Sequence, residues 1–272
     1  MGLIAISKIE DVEAIRFGKY NLADNSTVLI YIVGNTLIDT APPNQRKGLL
    51  KFLSDREIEK IILTHHHEDH SGNAKAVADY FNIPVFIHES GIDILKTGFK
   101  IKAFQKVFWG SPGKIKAMSL PEEIDCGNGI KLKTIHTLGH SEDHVCFFEE
   151  KRKWLFTGDN FLSSAPKLFR LDEDLEKEIK SLETILKYDF KTIFCSHRGF
   201  IENGYEVMEK KLKYFRELIK KVHIAKEQGL SIKAISKQIL GKKDFVGLIS
   251  FSYLSQKNLI KKCLEIISEN KI

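Results

Sequence analysis

The chain contains 272 residues, of which 43% are hydrophobic and 29% are charged, a composition that excludes a disordered or fibrous protein and is typical of a globular one. The apolar stretch at residues 1–6 is too short for a signal peptide, and no apolar run approaches the roughly 20 residues that cross a bilayer, so we expect a cytoplasmic protein with no membrane partner. The net charge of +6 is uneven, because residues 211–272 carry 14 Lys and Arg against 5 Asp and Glu.

Strand and helix patterns alternate along the first three quarters of the chain. Apolar runs rich in β-branched residues predict strands, and leucines at helical spacing predict helices. The predicted strands are 27–33, 36–39, 60–63, 83–88, 130–136, 145–149, 154–157 and 192–195, and the predicted helices are 45–53, 73–81 and 175–187. Residues 91–120 interrupt this alternation.

The pattern changes near residue 205, after which only helices are predicted. They cover residues 205–228, 231–240 and 255–267, with Ser231 and Ser255 as N-cap residues. We therefore expect an α/β domain over residues 1–204 and a small, basic, all-helical domain over residues 205–272.

A run of metal-ligating side chains lies between a predicted strand and a predicted helix, with the sequence Thr64-His65-His66-His67-Glu68-Asp69-His70. His65 and His67 are two residues apart, so at a strand end they point to the same side. Asp69 and His70 follow after the chain has turned toward the helix. One metal ion cannot take all these groups, so the pattern predicts two adjacent sites. Imidazole and carboxylate donors without a thiolate suit Zn²⁺, with Fe or Mn as alternatives.

Further candidate ligands follow three other predicted strands. His140 comes after the strand 130–136, Asp159 after 154–157, and His197 after 192–195. Functional groups gather in loops at strand ends in α/β folds. A histidine-rich surface loop without a function would not explain these three additional groups.

These motifs resemble those of the metallo-β-lactamase superfamily, and within it the glyoxalase II-like hydrolases that carry a C-terminal winged-helix-like segment. His65-x-His67-x-Asp69-His70 matches the H-x-H-x-D-H signature, and His140, Asp159 and His197 match the later motifs in order. The resemblance covers about residues 12–205 and implies an αββα sandwich of two sheets with helices outside. We expect this winged helix to be incomplete, because no wing hairpin is predicted after the last helix.

The resemblance also implies a division of the ligands between two metal ions. His65, His67 and His140 would hold the first, Asp69, His70 and His197 the second, and Asp159 would bridge them. Asp69 would in addition orient the attacking water, which makes it the catalytic candidate. Asp39 matches a family aspartate that supports the ligands, and for His144 a supporting or packing role is favoured over ligation. His66 and Glu68 should point away from the metals.

Such a site predicts hydrolysis. Two divalent ions that share one water lower its pKa from 15.7 toward ~7, so a metal-bridging hydroxide can attack an ester, a thioester or a related small substrate. Two alternatives remain open. The basic C-terminal segment favours a metal-dependent endoribonuclease or phosphodiesterase that acts on single-stranded RNA, and use of the first site alone would fit a mononuclear iron enzyme similar to persulfide dioxygenases.

Residues 91–118 are the candidate specificity segment. Aromatic rings interleaved with cations suit an anionic substrate with an apolar part; the residues are Phe99, Phe104, Phe108 and Trp109 with Lys96, Lys100, Lys102, Lys106, Lys114 and Lys116. If this segment forms a wall over the metal ions, Phe104, Phe108 and Trp109 would contact the apolar part of the substrate. The alternative is a pair of amphipathic helices that covers the edge of the core.

Overall fold

The computed structural model describes residues 2–18, 27–241, 247, 248, 250 and 252–269. The side chains of Phe104 and Phe108 lie outside the described part of the structure, so their predicted contact with the substrate does too. The chain divides into two compact units, of which the first contains Met1–His136, Glu142–Asn160 and Asp189–Gly204 and the second contains the remaining residues. The predicted functional division at residue 204 stays a prediction.

The first unit is built on two β-sheets. Seven strands form one sheet in chain order: β1 (Leu3–Ile9), β2 (Val12–Phe17), β3 (Val28–Val33), β4 (Thr36–Ile38), β5 (Lys60–Ile62), β6 (Val85–Ile87) and β7 (Met118–Ser119). Strands β1 to β4 are antiparallel neighbours, whereas β4 to β7 are parallel. The parallel part brings the carboxyl ends of β4, β5 and β6 to one edge of the sheet.

The second sheet of this unit has six strands. The strands that follow β7 along the chain are β8 (Glu123–Asp125), β9 (Lys131–His136), β10 (Val145–Glu149), β11 (Trp154–Gly158), β12 (Phe169–Arg170), β13 (Thr192–Cys195), β14 (Gly199–Ile201) and β15 (Leu254–Ser255). All of these except β12 and β15 pair in the order β14-β13-β11-β10-β9-β8. Strands β11 and β13 are parallel, so their carboxyl ends lie side by side.

A buried cluster between the two sheets joins them. The ring of Tyr31 on β3 meets the rings of Phe156 and Phe194 edge-on, with centroid distances of 5.5 and 5.6 Å. Its hydroxyl donates a 2.6 Å hydrogen bond to the Cys195 carbonyl, which satisfies the polar atom. Full burial of a phenylalanine side chain stabilises the folded state by about 1.5–3 kcal/mol.

Helices cover the opposite face of the seven-stranded sheet. They are α1 (Arg46–Leu53), α2 (Ala74–Phe81) and α3 (Glu89–Thr97), and the short α4 (Ala103–Phe108) follows them. Leu49, Val77 and Leu95 bury one apolar stripe from each of the first three helices in a cluster with Ile61. These layers confirm the predicted α/β sandwich.

The second unit contains α5 (Leu175–Ile185), nearly all of α6 (Gly204–Glu227), α7 (Ile232–Ile239) and α8 (Gln256–Ser268). The Ser231 and Ser255 side chains accept hydrogen bonds from the backbone N–H groups of Ala234 and Asn258, as expected of N-caps. The predicted C-terminal helices are therefore confirmed. Among the described residues, no helix combines the length and the apolar character needed to span a membrane.

Candidate metal centre

The loop between β5 and α2 turns sharply and gathers three imidazole rings. The backbone N–H groups of His70 and Ser71 both donate to the His67 carbonyl, at 3.0 and 2.8 Å. As a result the His65 ring centroid lies 4.4 Å from that of His67 and 4.1 Å from that of His70. The predicted common direction of His65 and His67 is confirmed, since His65 Nε2 and His67 Nδ1 are 2.7 Å apart.

Two other strand ends bring a carboxylate and a fourth imidazole to this loop. Asp159 Oδ1 lies 3.3 Å from Nε2 of His70 and 3.3 Å from Nε2 of His197. Asp69 Oδ2 lies 3.8 and 3.7 Å from the same two nitrogens. In each of two groups of three potential ligand atoms, the atoms lie within 4.8 Å of one another. One group comes from Asp69, His70 and His197, and the other from His65, His70 and Asp159.

Gly158 lets the chain turn from β11 into Asp159. Its φ is +49°, and a Cβ at this position would lie 2.7 Å from His144 Nε2 and 3.0 Å from Thr64 Cβ. The backbone N–H of Asp159 then donates to His144 Nε2 at 3.1 Å. His144 thus supports the loop that carries Asp159, which agrees with the supporting role predicted for it.

Buried acceptors hold the imidazoles in place through their Nδ1 atoms. His70 Nδ1 donates to Asp39 Oδ2 at 2.8 Å, and Asp39 also accepts the backbone N–H of Thr64 at 2.8 Å. His197 Nδ1 donates to the Thr27 carbonyl at 2.7 Å. The Nε2 atoms of both histidines are therefore the ones that face Asp159. Asp39 occupies the supporting position that the sequence resemblance implies.

The cluster has a strongly negative character. Burial opposes protonation of His70, but the carboxylates of Asp159, Asp69 and Asp39 outweigh it and hold the pKa of this imidazole well above its usual value. The pKa of His197 is raised in the same way, against the effect of burial, chiefly by Asp159. Burial alone would raise the pKa of Asp159, yet the charges of His197 and His70 hold it well below the usual range. Positive charge is thus stabilised at this point.

The donor set fits a divalent cation. Nε2 of His70 is buried and has no hydrogen-bond partner among the described residues, although an orphaned buried nitrogen is costly. Imidazole and carboxylate donors surround this nitrogen. The nearby thiol of Cys195 is not available as a ligand, because its Sγ accepts two backbone N–H groups and burial raises its pKa to about 11. Such a thiolate-free set suits Zn²⁺.

His66 and Glu68, at the x positions of the H-x-H-x-D-H motif, form hydrogen bonds away from the candidate ligands. His66 Nδ1 lies 2.8 Å from the buried Asp143 Oδ1. Glu68 Oε1 accepts a 2.8 Å hydrogen bond from Gln105 Nε2 on α4. Neither residue belongs to the groups of potential ligands found among the described residues.

His140 lies in the second unit, where its Nδ1 is 2.7 Å from Glu173 Oε1. Sequence reasoning missed Glu173. The residue lies between Asp172 and Asp174, just before α5, and no motif in the sequence marks it as a partner of His140.

The candidate specificity segment, residues 91–118, contains most of α3 and all of α4. Leu95 is buried in the core, so α3 covers its edge as the alternative interpretation predicts. The ring of Phe99 meets that of His66 edge-on at 4.9 Å, and the Trp109 carbonyl accepts the Asn44 N–H at 3.0 Å. The six predicted lysines are exposed. A substrate contact by this segment stays a prediction.

Comparisons with known proteins agree with the geometry. The family model described as the metallo-beta-lactamase superfamily matches residues 23–197. A metallo-beta-lactamase family protein of Thermus thermophilus has a similar fold, with a TM-score of 0.70 at 19% identity over 97% of this chain and 95% of that one.

Two curated relatives carry functional names. An atrochrysone carboxyl ACP thioesterase of Pseudocercospora fijiensis is 27% identical over 194 residues, which are 68% of this chain and 51% of the relative. A hydroxyacylglutathione hydrolase of Pelagibacter ubique is 25% identical over 187 residues, 67% of this chain and 70% of the relative. The chain spans about half the length of several curated relatives that it matches.

Proposed function

Because the chain belongs to the metallo-beta-lactamase superfamily, we propose that it is a hydrolase that uses two divalent metal ions, with Zn²⁺ best suited to its donors, to cleave a small ester or thioester. The observation that carries this proposal is the buried cluster in which Asp159 lies 3.3 Å from Nε2 of both His70 and His197. A structural role alone would not explain why loops from separate strands bring these groups together.

The proposed ligands follow the order of the motifs. The first metal ion is assigned to His65, His67 and His140, the second to Asp69, His70 and His197, and Asp159 to both. Distances within the first unit support five of these residues as ligands, namely His65, Asp69, His70, Asp159 and His197, while their division between the two ions follows the sequence motifs. For His67 the support is its contact with His65, and for His140 it is the sequence motif.

The bound ions would lower the pKa of a shared water toward neutrality and polarise the substrate carbonyl. The protein's own groups prepare that chemistry. Asp69, whose carboxylate lies 3.7–3.8 Å from two of the imidazoles, would accept a hydrogen bond from the attacking water and orient it. Asp39 and Thr27 hold His70 and His197 so that no reorganisation is needed during the reaction.

The names of the two relatives, a thioesterase and a hydroxyacylglutathione hydrolase, support a thioester as the substrate class. The exposed lysines of residues 91–118 support an anionic substrate. The RNA alternative rests on the charge of residues 211–272, and the mononuclear iron alternative rests on the first ligand set alone. Both remain predictions that the same experiment addresses.

The test combines metal analysis with a substrate panel. We expect the purified protein to contain about two divalent ions per chain and to hydrolyse one class among thioesters, esters, lactones, phosphodiesters and single-stranded RNA. Asp69→Ala and His70→Ala should abolish that activity, while Asp79→Ala on the exposed side of α2 should keep it. Full activity in both site variants would refute the proposal, and one iron per chain with oxygen uptake would favour the mononuclear alternative.

A further inference from the structure

His140 donates a hydrogen bond from Nδ1 to the Glu173 carboxylate. The two atoms are 2.7 Å apart, and the two side chains are only 6% and 11% exposed. An ionised carboxylate can only accept hydrogen bonds, so Nδ1 of the neutral imidazole must carry the hydrogen. The other ring nitrogen, Nε2, is then left with its lone pair.

Glu173 is itself fixed by the main chain of β12. Its second oxygen, Oε2, accepts the backbone N–H of Arg170 at 2.7 Å. Each carboxylate oxygen therefore has its own donor. Rotation of the carboxylate would break both hydrogen bonds, so the orientation of Glu173 is set by the position of Arg170.

Residues from the far end of the chain hold β12 in that position. Phe169 and Arg170 pair with Ser255 and Leu254 of β15. Asn258, which is buried, donates through Nδ2 to the Phe169 carbonyl at 3.2 Å and to the Tyr253 carbonyl at 3.0 Å.

The side chains around β12 add a second connection to the C-terminal segment. The Arg170 guanidinium contacts the Tyr253 hydroxyl and lies 5.1 Å from the centre of its ring. The Tyr253 hydroxyl donates to Asp172 Oδ2 at 2.8 Å. A continuous set of contacts thus runs from Tyr253 and Asn258 through Arg170 and Glu173 to His140.

We propose that Glu173 is a positioning residue that keeps His140 in the Nδ1–H tautomer and so offers Nε2 to a metal ion, and that the C-terminal residues 252–258 fix Glu173 for this task. The inference rests on the proposed function, in which His140 is a ligand. Carboxylate partners of this kind orient metal-binding histidines in general. The C-terminal segment then fixes the tautomer of His140 whether or not it binds nucleic acid.

The variant Glu173→Gln tests this role. The Arg170 N–H still needs an acceptor, so the amide oxygen should face Arg170 and the amide NH₂ should face His140. That NH₂ can only donate, which moves the imidazole hydrogen to Nε2 and blocks the metal-binding nitrogen. We expect the affinity for one of the two metal ions to fall by about 10–100-fold, measured by competition with a chelator.

A purely structural role predicts a different order of effects. Glutamine keeps the volume of the side chain, so packing alone would make Glu173→Gln milder than Glu173→Ala. The positioning role makes Glu173→Gln at least as damaging to metal affinity as Glu173→Ala, which leaves His140 free to adopt either tautomer. Glu183→Gln, which breaks a pair with Arg216 in the same unit, is the matched control and should change nothing.

The tautomer can be read without any metal. Long-range ¹H–¹⁵N spectra of the metal-free protein should show hydrogen on Nδ1 of His140 in the wild type and on Nε2 in Glu173→Gln. An unchanged tautomer, or unchanged metal affinity in Glu173→Gln, would overturn the proposal. If the wild type binds no metal, the proposed function fails, and this outcome is distinct because the tautomer is measured on the metal-free chain.

Discussion

His70 and Asp39 are joined by a 2.8 Å hydrogen bond between Nδ1 and Oδ2, and both side chains are completely or almost completely buried. Asp39 adopts φ = +61°, a conformation that non-glycine residues rarely take and that Asn and Asp tolerate best. Its other oxygen accepts the Thr64 N–H. The residue that follows β4 therefore determines the orientation of an imidazole on the loop that follows β5.

Asp39→Asn should lower the affinity for the second metal ion by about 10–100-fold. The Thr64 N–H requires the amide oxygen, so the amide NH₂ must face His70 and shift its hydrogen to Nε2. Chelator competition measures the change, and Asp79→Asn, which breaks an exposed pair with Lys75, is the control. Wild-type affinity in Asp39→Asn would contradict the role of Asp39 in setting the tautomer of His70.

Much of this site could be predicted from the sequence because its signals are local. The spacing of His65 and His67 fixes their common direction at a strand end, and the later ligands follow strands with clear apolar patterns. Glu173 could not be predicted, since its role depends on β12 pairing with β15, more than eighty residues along the chain. Strand β1 was also missed, because Leu3, Ile4 and Ile6 are all exposed and show no buried face.

Gly158→Ala should both destabilise the protein and weaken metal binding. The new Cβ would approach His144 Nε2 to 2.7 Å, and the residue would have to keep a φ of +49°. We expect a loss of about 1–3 kcal/mol in the free energy of unfolding, measured with denaturant on the metal-free protein.

The matched control is Gly129→Ala. Gly129 also has a positive φ, of +73°, but nothing lies within 4 Å of its added Cβ. This variant should show only the cost of the backbone conformation and should bind metal normally. Equal metal affinity in both variants would contradict a role of Gly158 in placing Asp159.

Alkaline pH should destabilise the fold through Cys126. Burial raises the pKa of this thiol to about 11, above its ordinary value of 9.0. A group whose pKa is raised by folding stabilises the protein below its unfolded pKa, and that contribution is lost as pH rises through the folded value. Between pH 9 and 11 the free energy of unfolding should fall by up to about 1.4 kcal/mol per pH unit from this group.

Cys126→Ala removes this proton and should flatten the dependence of the unfolding free energy on pH between 9 and 11. Denaturant titrations at several pH values compare the two proteins. The other buried thiols leave a residual slope in the variant. A slope identical to that of the wild type would show that Cys126 ionises as readily in the folded chain as in the unfolded one.

Gln105 connects helix α4 to the metal-binding loop, and its loss should affect substrate binding more than metal binding. Its side chain donates to Glu68 at 2.8 Å and accepts the Lys102 N–H at 2.9 Å, so it both caps α4 and holds the helix against the loop. A hydrogen bond contributes about 1 kcal/mol, so Gln105→Ala should raise KM about fivefold. Metal content should not change, because Glu68 is not among the proposed ligands.

Val107→Ala, at a position on the same helix that is 71% exposed, is the control. If Gln105→Ala lowers the metal content and leaves KM unchanged, α4 supports the loop and takes no part in recognising the substrate.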